Sequence, residues 1–294
     1  MIRKMFTRIR PADSLNLLFL LCLAATVLFF RQKISDPGRL IALYSVLFVA
    51  QLALMKIRAS DGPLRWVYDL IFPTLSILII FDSLGDLVHS INPRDIDPVL
   101  IRLDYMIFGF YPTVMAERFV NPVLTDVLQL AYSSYYFLPV ALGAVLEARR
   151  EEAAFDHSLF LIMLCFYLSY IGYMFLPALG PRYTMNHLQG IDLQGYLVAG
   201  PIQEILNRLE GIKRDAFPSG HTGVALTVLY LARMHARRLF RFFLPFVAAL
   251  IVSTVYCRYH YVVDVLGGVL LALITIFLGE AYYAYRAKRI DINR

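Results

Sequence analysis

The sequence predicts an all-α polytopic membrane protein with about eight transmembrane spans. Hydrophobic residues make up 59% of the 294 positions and charged residues only 17%, which is far more apolar than a soluble domain. The mean hydropathy is +0.61. Apolar runs long enough to cross a hydrocarbon layer of ~30 Å as helices recur along the whole chain. They leave no segment for a separate soluble domain.

The predicted spans are apolar runs separated by polar or proline-containing connections. The first run follows the basic stretch MIRKMFTRIR, which is typical of a signal peptide. It closes in FFRQK without a small-residue cleavage site, and a second run follows at once, so we expect a retained helix. In chain order the spans are expected at residues 15–30, 39–57, 66–83, 125–146, 158–176, 219–234, 241–257 and 262–284.

Loop charge predicts which connections face the cytoplasm, where Lys and Arg usually collect. Arg31, Lys33 and Arg39 in the first connection oppose the resulting topology, but the other loops outweigh them. Connections 84–124, 177–218 and 258–261 then lie on the outer face, periplasmic in a bacterium or lumenal in a eukaryote. Both termini are expected in the cytoplasm, together with Lys56, Arg58, Arg65, Arg149, Arg150, Arg233, Arg237, Arg238 and Arg241.

Two outer segments are expected to lie at the membrane surface instead of crossing the bilayer. Residues 99–119 are apolar but interrupted by charged residues, Gly109 and Pro112, which favours a re-entrant or interfacial segment. The stretch GPIQEILNRLEG, at residues 200–211, places Ile202, Ile205, Leu206 and Leu209 on one stripe, as in an interfacial amphipathic helix.

Charge and cysteine content exclude several functional classes. The net charge of +6 is ordinary for a membrane protein with basic cytoplasmic loops, so we expect no nucleic-acid partner. Cys22, Cys165 and Cys257 show neither a CxxC pair nor metal-ligand spacing. Without paired-ligand spacing, a zinc site built from His187, His221 and His260 has little support, and we expect neither a metal nor a cofactor.

Two motifs place ionisable residues at the outer ends of predicted spans, FPSGHTG at 217–223 and YCRYHYVVDVLGG at 256–268. Such residues in membrane segments are expensive and usually functional. His260 and Asp264 are four apart and share a helix face, so the carboxylate is expected to orient the imidazole as a nucleophile. His221 opens another helix and is expected to protonate a leaving group.

Arg182 and Arg258 accompany these residues, and guanidinium groups bind phosphate through paired hydrogen bonds. The combination suits phosphoryl transfer through a phosphohistidine. Further phosphate contacts are expected from the helix start at Ser219 and Gly220, and from Lys213 or Arg214 at the mouth. Asp82, Asp86 and Asp104 are weaker candidates for a polar head group, because solvated helix ends or a structural role would also explain them.

These motifs resemble those of the type 2 phosphatidic acid phosphatase superfamily. PSGH at 218–221 matches the second element of the family signature, and HYVVD at 260–264 matches the third. The chain departs from the pattern in having Pro181 before Arg182 and only one residue between Arg258 and His260. The resemblance covers roughly residues 80–285. It implies a six-helix phosphatase core at 66–294, preceded by a two-helix addition at 1–65, and an integral-membrane enzyme that acts on a lipid phosphate.

Within the superfamily, PSGHTG with HYVVDVLGG looks like the branch that includes inositol phosphorylceramide synthase. That likeness implies transfer of a phosphoinositol-type head group to a lipid alcohol. A simple hydrolase of phosphatidic acid or isoprenyl pyrophosphate is the alternative, and a transporter is the alternative from another class. A rhomboid-type protease is excluded because Phe217 stands where that family needs glycine. The sequence leaves open whether water or an alcohol accepts the phosphoryl group, which lipid is the donor, and the oligomeric state.

Overall fold

A computed structural model describes residues 9–56, 63–209 and 212–292, and these are helical with no β-strand. We number the longer helices in chain order. They are α1 Pro11–Phe29, α2 Pro37–Leu54, α3 Val67–Ile91, α4 Asp97–Phe108, α5 Pro122–Ser133, α6 Leu138–Ala148, α7 Glu152–Phe175, α8 Ala199–Leu209, α9 Gly220–His235, α10 Arg237–Tyr256 and α11 Val262–Ile292.

Six of these helices (α1, α2, α3, α7, α10 and α11) are long and apolar enough to cross a membrane. The predicted polytopic all-α fold is therefore confirmed. The predicted spans at 125–146 and 219–234 are also helical, but a 3₁₀ turn at Ser134–Tyr136 divides the first into α5 and α6, and the second is the 16-residue α9. Residues 97–119 form two helices bent by 68°, which is either a broken span or a re-entrant loop.

Proline and short polar residues define where many of the helices begin. Pro11, Pro37 and Pro122 occupy the first helical position, where the missing N–H costs nothing. The side chains of Asp36 and Asn121 each accept a hydrogen bond of 2.9 Å from the backbone N–H three residues later. These local signals explain why the predicted helix starts lie within a few residues of the observed ones.

The centre of the molecule is α9, which packs against α7, α10 and α11. Val224, Val228 and Leu231 of α9 are fully buried in the main hydrophobic core. Because α9 is surrounded, its amino-terminal end is held rigidly among the other helices, and that end carries His221. The packing therefore fixes the position of one motif of the predicted site.

The first two helices are joined to the rest of the protein by buried polar contacts. Arg10 forms ion pairs with Asp13 and Asp69, and Arg65 pairs with Asp69 at 3.2 Å and with Glu147 at 2.9 Å. We call these five residues the ionic network. Deeper in the membrane region, α1, α2 and α7 are linked through Asn16, which hydrogen bonds to Gln51 and Tyr167. The two-helix addition is thus tied to α3 and α7 by charge as well as by packing.

Candidate active site

The structure brings the two sequence motifs together at one end of the helix bundle. His221 lies at the start of α9, and His260 lies in the short connection between α10 and α11. The Nε2 atom of His260 is 3.3 Å from the Nδ1 atom of His221. Both imidazoles are buried, so the pair is a preformed, desolvated histidine site.

Hydrogen bonding assigns the proton of His260. Its Nδ1 lies 2.8 Å from the carbonyl oxygen of Ala216, and because a carbonyl can only accept, Nδ1 must carry the hydrogen. In the neutral ring, Nε2 therefore presents its lone pair. The nitrogen that faces His221 is the one expected to be nucleophilic.

Asp264 lies beside the His260 imidazole, on the side of its Nδ1 atom. The Oδ2 atom of Asp264 is 3.5 Å from His260 Nδ1 and accepts a hydrogen bond of 2.9 Å from the backbone N–H of Tyr261. The Ala216 carbonyl is the closer partner of the ring. Asp264 is fully buried at the start of α11, so its carboxylate fixes the residue after His260 and also lies beside the imidazole.

Aromatic rings enclose His221. Tyr132 stacks on the imidazole with a centroid distance of 4.4 Å, and Tyr135 lies at 4.2 Å. Tyr132 also stacks on Tyr259 at 4.1 Å, next to His260 in the chain. Within the described part of the chain, the buried Nε2 atom of His221 has no hydrogen-bond partner, which leaves it available to a ligand.

The two predicted arginines occupy different positions. The Arg182 guanidinium lies 4.9 Å from the Tyr259 ring centroid, and the Arg182 backbone N–H donates to the carbonyl oxygen of Arg258. The Arg258 side chain forms an ion pair of 2.8 Å with Glu117 and also donates to the Ile191 carbonyl. Arg258 therefore joins the segments that carry Glu117 and Ile191, and a carboxylate balances its charge.

One aspartate that the sequence patterns did not single out holds the loops of this site. Asp97 accepts hydrogen bonds of 2.9 Å from the N–H groups of Leu179 and Gly180, and one of 2.8 Å from the Tyr261 hydroxyl. It joins the loops that carry Arg182 and His260. Asp215, three residues before Pro218, lines the same cavity as His221. For Asp215, its place close to PSGH was a signal in the sequence, whereas Asp97 had no local signal of this kind.

Asp104, a predicted head-group residue, has a structural role. It is buried and accepts hydrogen bonds of 3.0 and 2.9 Å from the N–H groups of Val262 and Val263. A helix begins with N–H groups that lack partners within the helix, and Asp104 satisfies two of them. It therefore fixes the start of α11, two residues after His260.

Ser219 and Gly220 shape the start of α9. The Ser219 hydroxyl accepts a hydrogen bond of 3.3 Å from the Thr222 N–H, and Ser219 is fully buried, so it caps α9, and its contact with phosphate stays a prediction. A Cβ atom at Gly220 would lie 2.2 Å from the Tyr173 hydroxyl. Glycine is thus required for α9 to approach α7.

The remaining predicted residues lie farther out. Lys213 is exposed, with its ammonium 5.9 Å from the Tyr183 ring centroid, and Arg214 pairs with Asp95 at 2.8 Å. Asp86 pairs with Arg39, and Asp82 is exposed. Neither Asp82 nor Asp86 lines the two cavities that lie near the histidines, because this part of α3 faces α2 and solvent. The structure therefore does not bring these two carboxylates to the histidines.

Two cavities lie near the histidines. The apolar cleft is lined by His221 and Asp215 at one end and by residues of α3, α6 and α7 as far as Asp69. The polar pocket is lined by Arg182, Asn186, Asp192, Leu193, Gln203, Cys257 and Arg258. The cleft thus reaches His221, and the pocket reaches Arg258, two residues before His260.

No cluster of three or more metal-ligating side chains occurs among residues 9–56, 63–209 and 212–292. The positive charge next to the histidines comes instead from arginine. A guanidinium can balance a phosphoryl group without a metal ion.

Comparison with known proteins identifies one family. Residues 99–278 match a family model described as the PAP2 superfamily. A PA-phosphatase related-family protein of Dictyostelium discoideum is 25% identical over 200 residues, which cover 60% of this chain and 36% of that protein. The chain therefore spans about a third of the length of this relative. No solved structure matches it.

Proposed function

The chain belongs to the PAP2 superfamily, and we propose that it is an integral-membrane enzyme that cleaves the phosphoester of a lipid phosphate at His221 and His260. The observation that carries this proposal is the buried pair of imidazoles, 3.3 Å apart, at the junction of an apolar cleft with a polar surface. A lipid phosphate has the same division into an apolar chain and an anionic head.

In the first step, the lone pair of His260 Nε2 bonds to phosphorus while the bond from phosphorus to the lipid oxygen breaks. In this step the phosphorus atom lies between the two imidazole rings, which contact each other in the structure. His221, in its protonated form, donates a proton to the departing oxygen, and the lipid leaves as a neutral alcohol. The Ala216 carbonyl, which holds Nδ1 at 2.8 Å, stabilises the positive charge that spreads over His260.

In the second step, water gives a proton to His221 as its oxygen bonds to phosphorus and the bond from phosphorus to nitrogen breaks. Inorganic phosphate leaves, and both imidazoles return to their starting states. Arg182 is the cation that we assign to the phosphoryl oxygens, because its guanidinium lies over the ring of Tyr259, next to His260. A fixed cation that meets developing charge typically contributes several kcal/mol, or about 10²-fold or more in rate.

Transfer of a head group to a lipid alcohol is the second candidate, and the polar pocket favours it. Asn186, Asp192 and Gln203 line this pocket together with the two arginines. Carboxylate and amide groups of this kind hydrogen bond to hydroxyls, and phosphatidic acid has no head-group alcohol attached to its phosphate. The pocket therefore suits a substrate with a polyhydroxylated head group, as the synthase-like reading expects.

The experiment incubates the purified protein with phosphatidic acid, isoprenyl pyrophosphate or phosphatidylinositol, each with and without ceramide or diacylglycerol. Free phosphate supports hydrolysis, and a new phospholipid supports transfer.

Quenching with alkali during turnover of a radiolabelled lipid should trap phosphohistidine, and His260→Ala should abolish it. His187→Ala is the control, since His187 is exposed in an outer loop. Full activity in both His260→Ala and His221→Ala would refute the mechanism, and turnover of none of the lipids would favour a transporter.

We further propose that the site opens at the outer membrane surface, as loop charge predicts. Arg149 and Arg237 lie at helix ends remote from the histidines, whereas Lys213 lies close to the site. In a chain whose Cys22 is replaced by alanine, a membrane-impermeant maleimide added to intact cells should label Lys213→Cys and leave Arg237→Cys unlabelled. The reverse pattern would invert the topology.

A further inference from the structure

The apolar cleft extends far beyond the phosphate site. On α7 it is lined from Tyr173, next to the histidines, to Phe155, 18 residues away, which is about 27 Å along an α-helix. On α3 the lining runs from Phe81 to Asp69, about 18 Å. One leaflet of the hydrocarbon layer is only about 15 Å thick, so the cleft is longer than one leaflet.

The walls of the cleft suit a hydrocarbon chain. Most of its lining is aliphatic or aromatic, including Pro73, Ile77, Phe81, Leu159, Ile162 and Phe166. Its upper end opens at His221, where the proposed reaction holds the phosphate. A lipid phosphate therefore fits this space, because its hydrocarbon chain would lie against the apolar walls and its phosphate would lie at His221.

The deep end of the cleft is closed by side chains and by charge. Leu70, Gly143 and Phe155 meet there. Asp69 lies next to Leu70, at the edge of the ionic network, where its carboxylate accepts hydrogen bonds from Arg10 and Arg65. A hydrocarbon tail cannot replace those bonds, and displacing one charged partner would leave another unpaired. The network is thus a floor that a chain cannot pass.

We propose that the cleft binds a hydrocarbon chain of the lipid phosphate, and that Gly143 at its closed end sets the longest chain accepted. The proposal rests on the function proposed above. A Cβ atom at Gly143 would lie 2.8 Å from Leu70 Cδ2 and 3.5 Å from Phe155 Cε2. Any larger residue must therefore push the Leu70 side chain aside at the deep end, which shortens the space for the last carbons of the chain.

The test compares dioctanoyl with dioleoyl phosphatidic acid in mixed micelles, using the ratio of their kcat/KM values. In Gly143→Ala, the ratio of long to short substrate should fall about tenfold or more, since one methylene in an apolar pocket is worth about 10- to 200-fold. Leu70→Ala should shift the preference toward longer chains. Gly279→Ala is the matched control, because its Cβ would also meet a leucine methyl, that of Leu161 at 2.6 Å, outside the cleft.

A second measurement does not depend on turnover or on the variants. A non-hydrolysable phosphonate lipid with a diazirine at the end of its chain should, on illumination, label peptides of α3 and α6 that contain Leu70 and Gly143. Labelling there without hydrolysis of any lipid would retain the chain site and refute the proposed reaction. An unchanged chain-length ratio in both variants, or labelling confined to the outer loops, would overturn the chain-site proposal while the proposed function stands.

Discussion

At the residue scale, the proposed mechanism gives His221 the role of proton donor and His260 that of nucleophile, and leaving-group chemistry distinguishes these two roles. A lipid oxygen departs as an alcohol and needs a proton, whereas nitrophenolate departs without one. We expect His221→Ala to lower turnover of a lipid phosphate by about 10²- to 10⁴-fold, but to lower turnover of para-nitrophenyl phosphate much less. His260→Ala should lose both reactions. Equal losses on both substrates in His221→Ala would remove the general-acid role.

Gly180 is a second residue whose replacement has a defined consequence. Gly180 lies two residues before Arg182, and its φ is +86°. A Cβ atom at this position would lie 2.5 Å from the Tyr259 carbonyl oxygen. We expect Gly180→Ala to move Arg182 and reduce kcat. Gly109→Ala is the control, because Gly109 also has positive φ, +73°, but nothing within 4 Å.

In Gly109→Ala, the free energy of unfolding in detergent should fall by only about 1–2 kcal/mol, the cost of a left-handed backbone for a residue other than glycine. This variant should keep its activity. Gly180→Ala should lose more stability as well as activity. If the two variants behave alike, the close approach of Gly180 to Tyr259 has no part in the site.

Some contacts between residues of the site could be predicted from the sequence, and others could not. The pairing of His221 with His260 was predictable because both motifs stand at helix ends on one face of the membrane. The role of Asp97 was not predicted and that of Asp104 was left open, since their partners Tyr261 and Val262 lie 164 and 158 positions away. A sequence pattern reports local spacing, and these contacts exist only after α4 has packed against α11.

At the scale of elements, apolar patterns predicted the positions of the long helices well but missed a break inside one predicted span. Helices α1, α2, α3, α7, α10 and α11 are within a few residues of their expected positions, or extend them. The predicted span at 125–146 is instead interrupted at Ser134–Tyr136, and the hydroxyl of Ser134 bonds back to the Ala131 carbonyl at 2.6 Å. Hydropathy over a window of twenty residues does not detect such a turn.

The predicted amphipathic helix near 200–211 corresponds to α8, although the side chains of Ile205, Leu206 and Leu209 lie outside the described residues. Ile202 packs beside Leu128 of α5. Asp126 of α5 accepts hydrogen bonds of 2.8–3.0 Å from the N–H groups of residues 196–199. One carboxylate therefore anchors the start of α8, which borders the polar pocket through Gln203.

Replacing Asp126 should release this segment. In Asp126→Ala the four N–H groups lose their acceptor, and we expect amide hydrogen exchange at residues 196–199 to become about tenfold faster or more, with a higher KM for substrates that carry a large head group. Asp82→Ala, at an exposed carboxylate of α3, is the control and should leave exchange there unchanged. Unaltered exchange in Asp126→Ala would show that α8 is held by its packing instead.

At the scale of the whole molecule, the catalytic end and the ionic network lie at opposite ends of one cleft. The region that matches the PAP2 superfamily starts at residue 99, yet α3, which precedes it, lines this cleft from Phe81 to Asp69. The early helices are therefore part of the substrate-facing architecture in this proposal. A division at residue 65 remains a prediction from the sequence, and contacts of Arg10 and Asn16 cross it.

The contacts of Arg10 across residue 65 should stabilise the fold. The Arg10 side chain is 1% exposed and contacts the carboxylates of Asp13 and Asp69, and the Tyr68 hydroxyl also donates to Asp13. Arg10→Met keeps most of the volume but leaves both buried carboxylates without this cation, so the free energy of unfolding should fall by about 3–5 kcal/mol. Arg39→Met is the control. Its pair with Asp86 is exposed, and its loss should cost less than about 1 kcal/mol.

Unfolding in detergent would measure both variants, and the chain-length ratio of Arg10→Met would show what the ionic network does for the cleft. If the network only joins α1 to α3, stability falls and the ratio for dioleoyl over dioctanoyl phosphatidic acid is unchanged. If the network also forms the floor, its loss opens the deep end and the ratio rises. Equal stability of Arg10→Met and Arg39→Met would mean that the first helices are held by apolar packing, and that the buried charges contribute neither stability nor a floor.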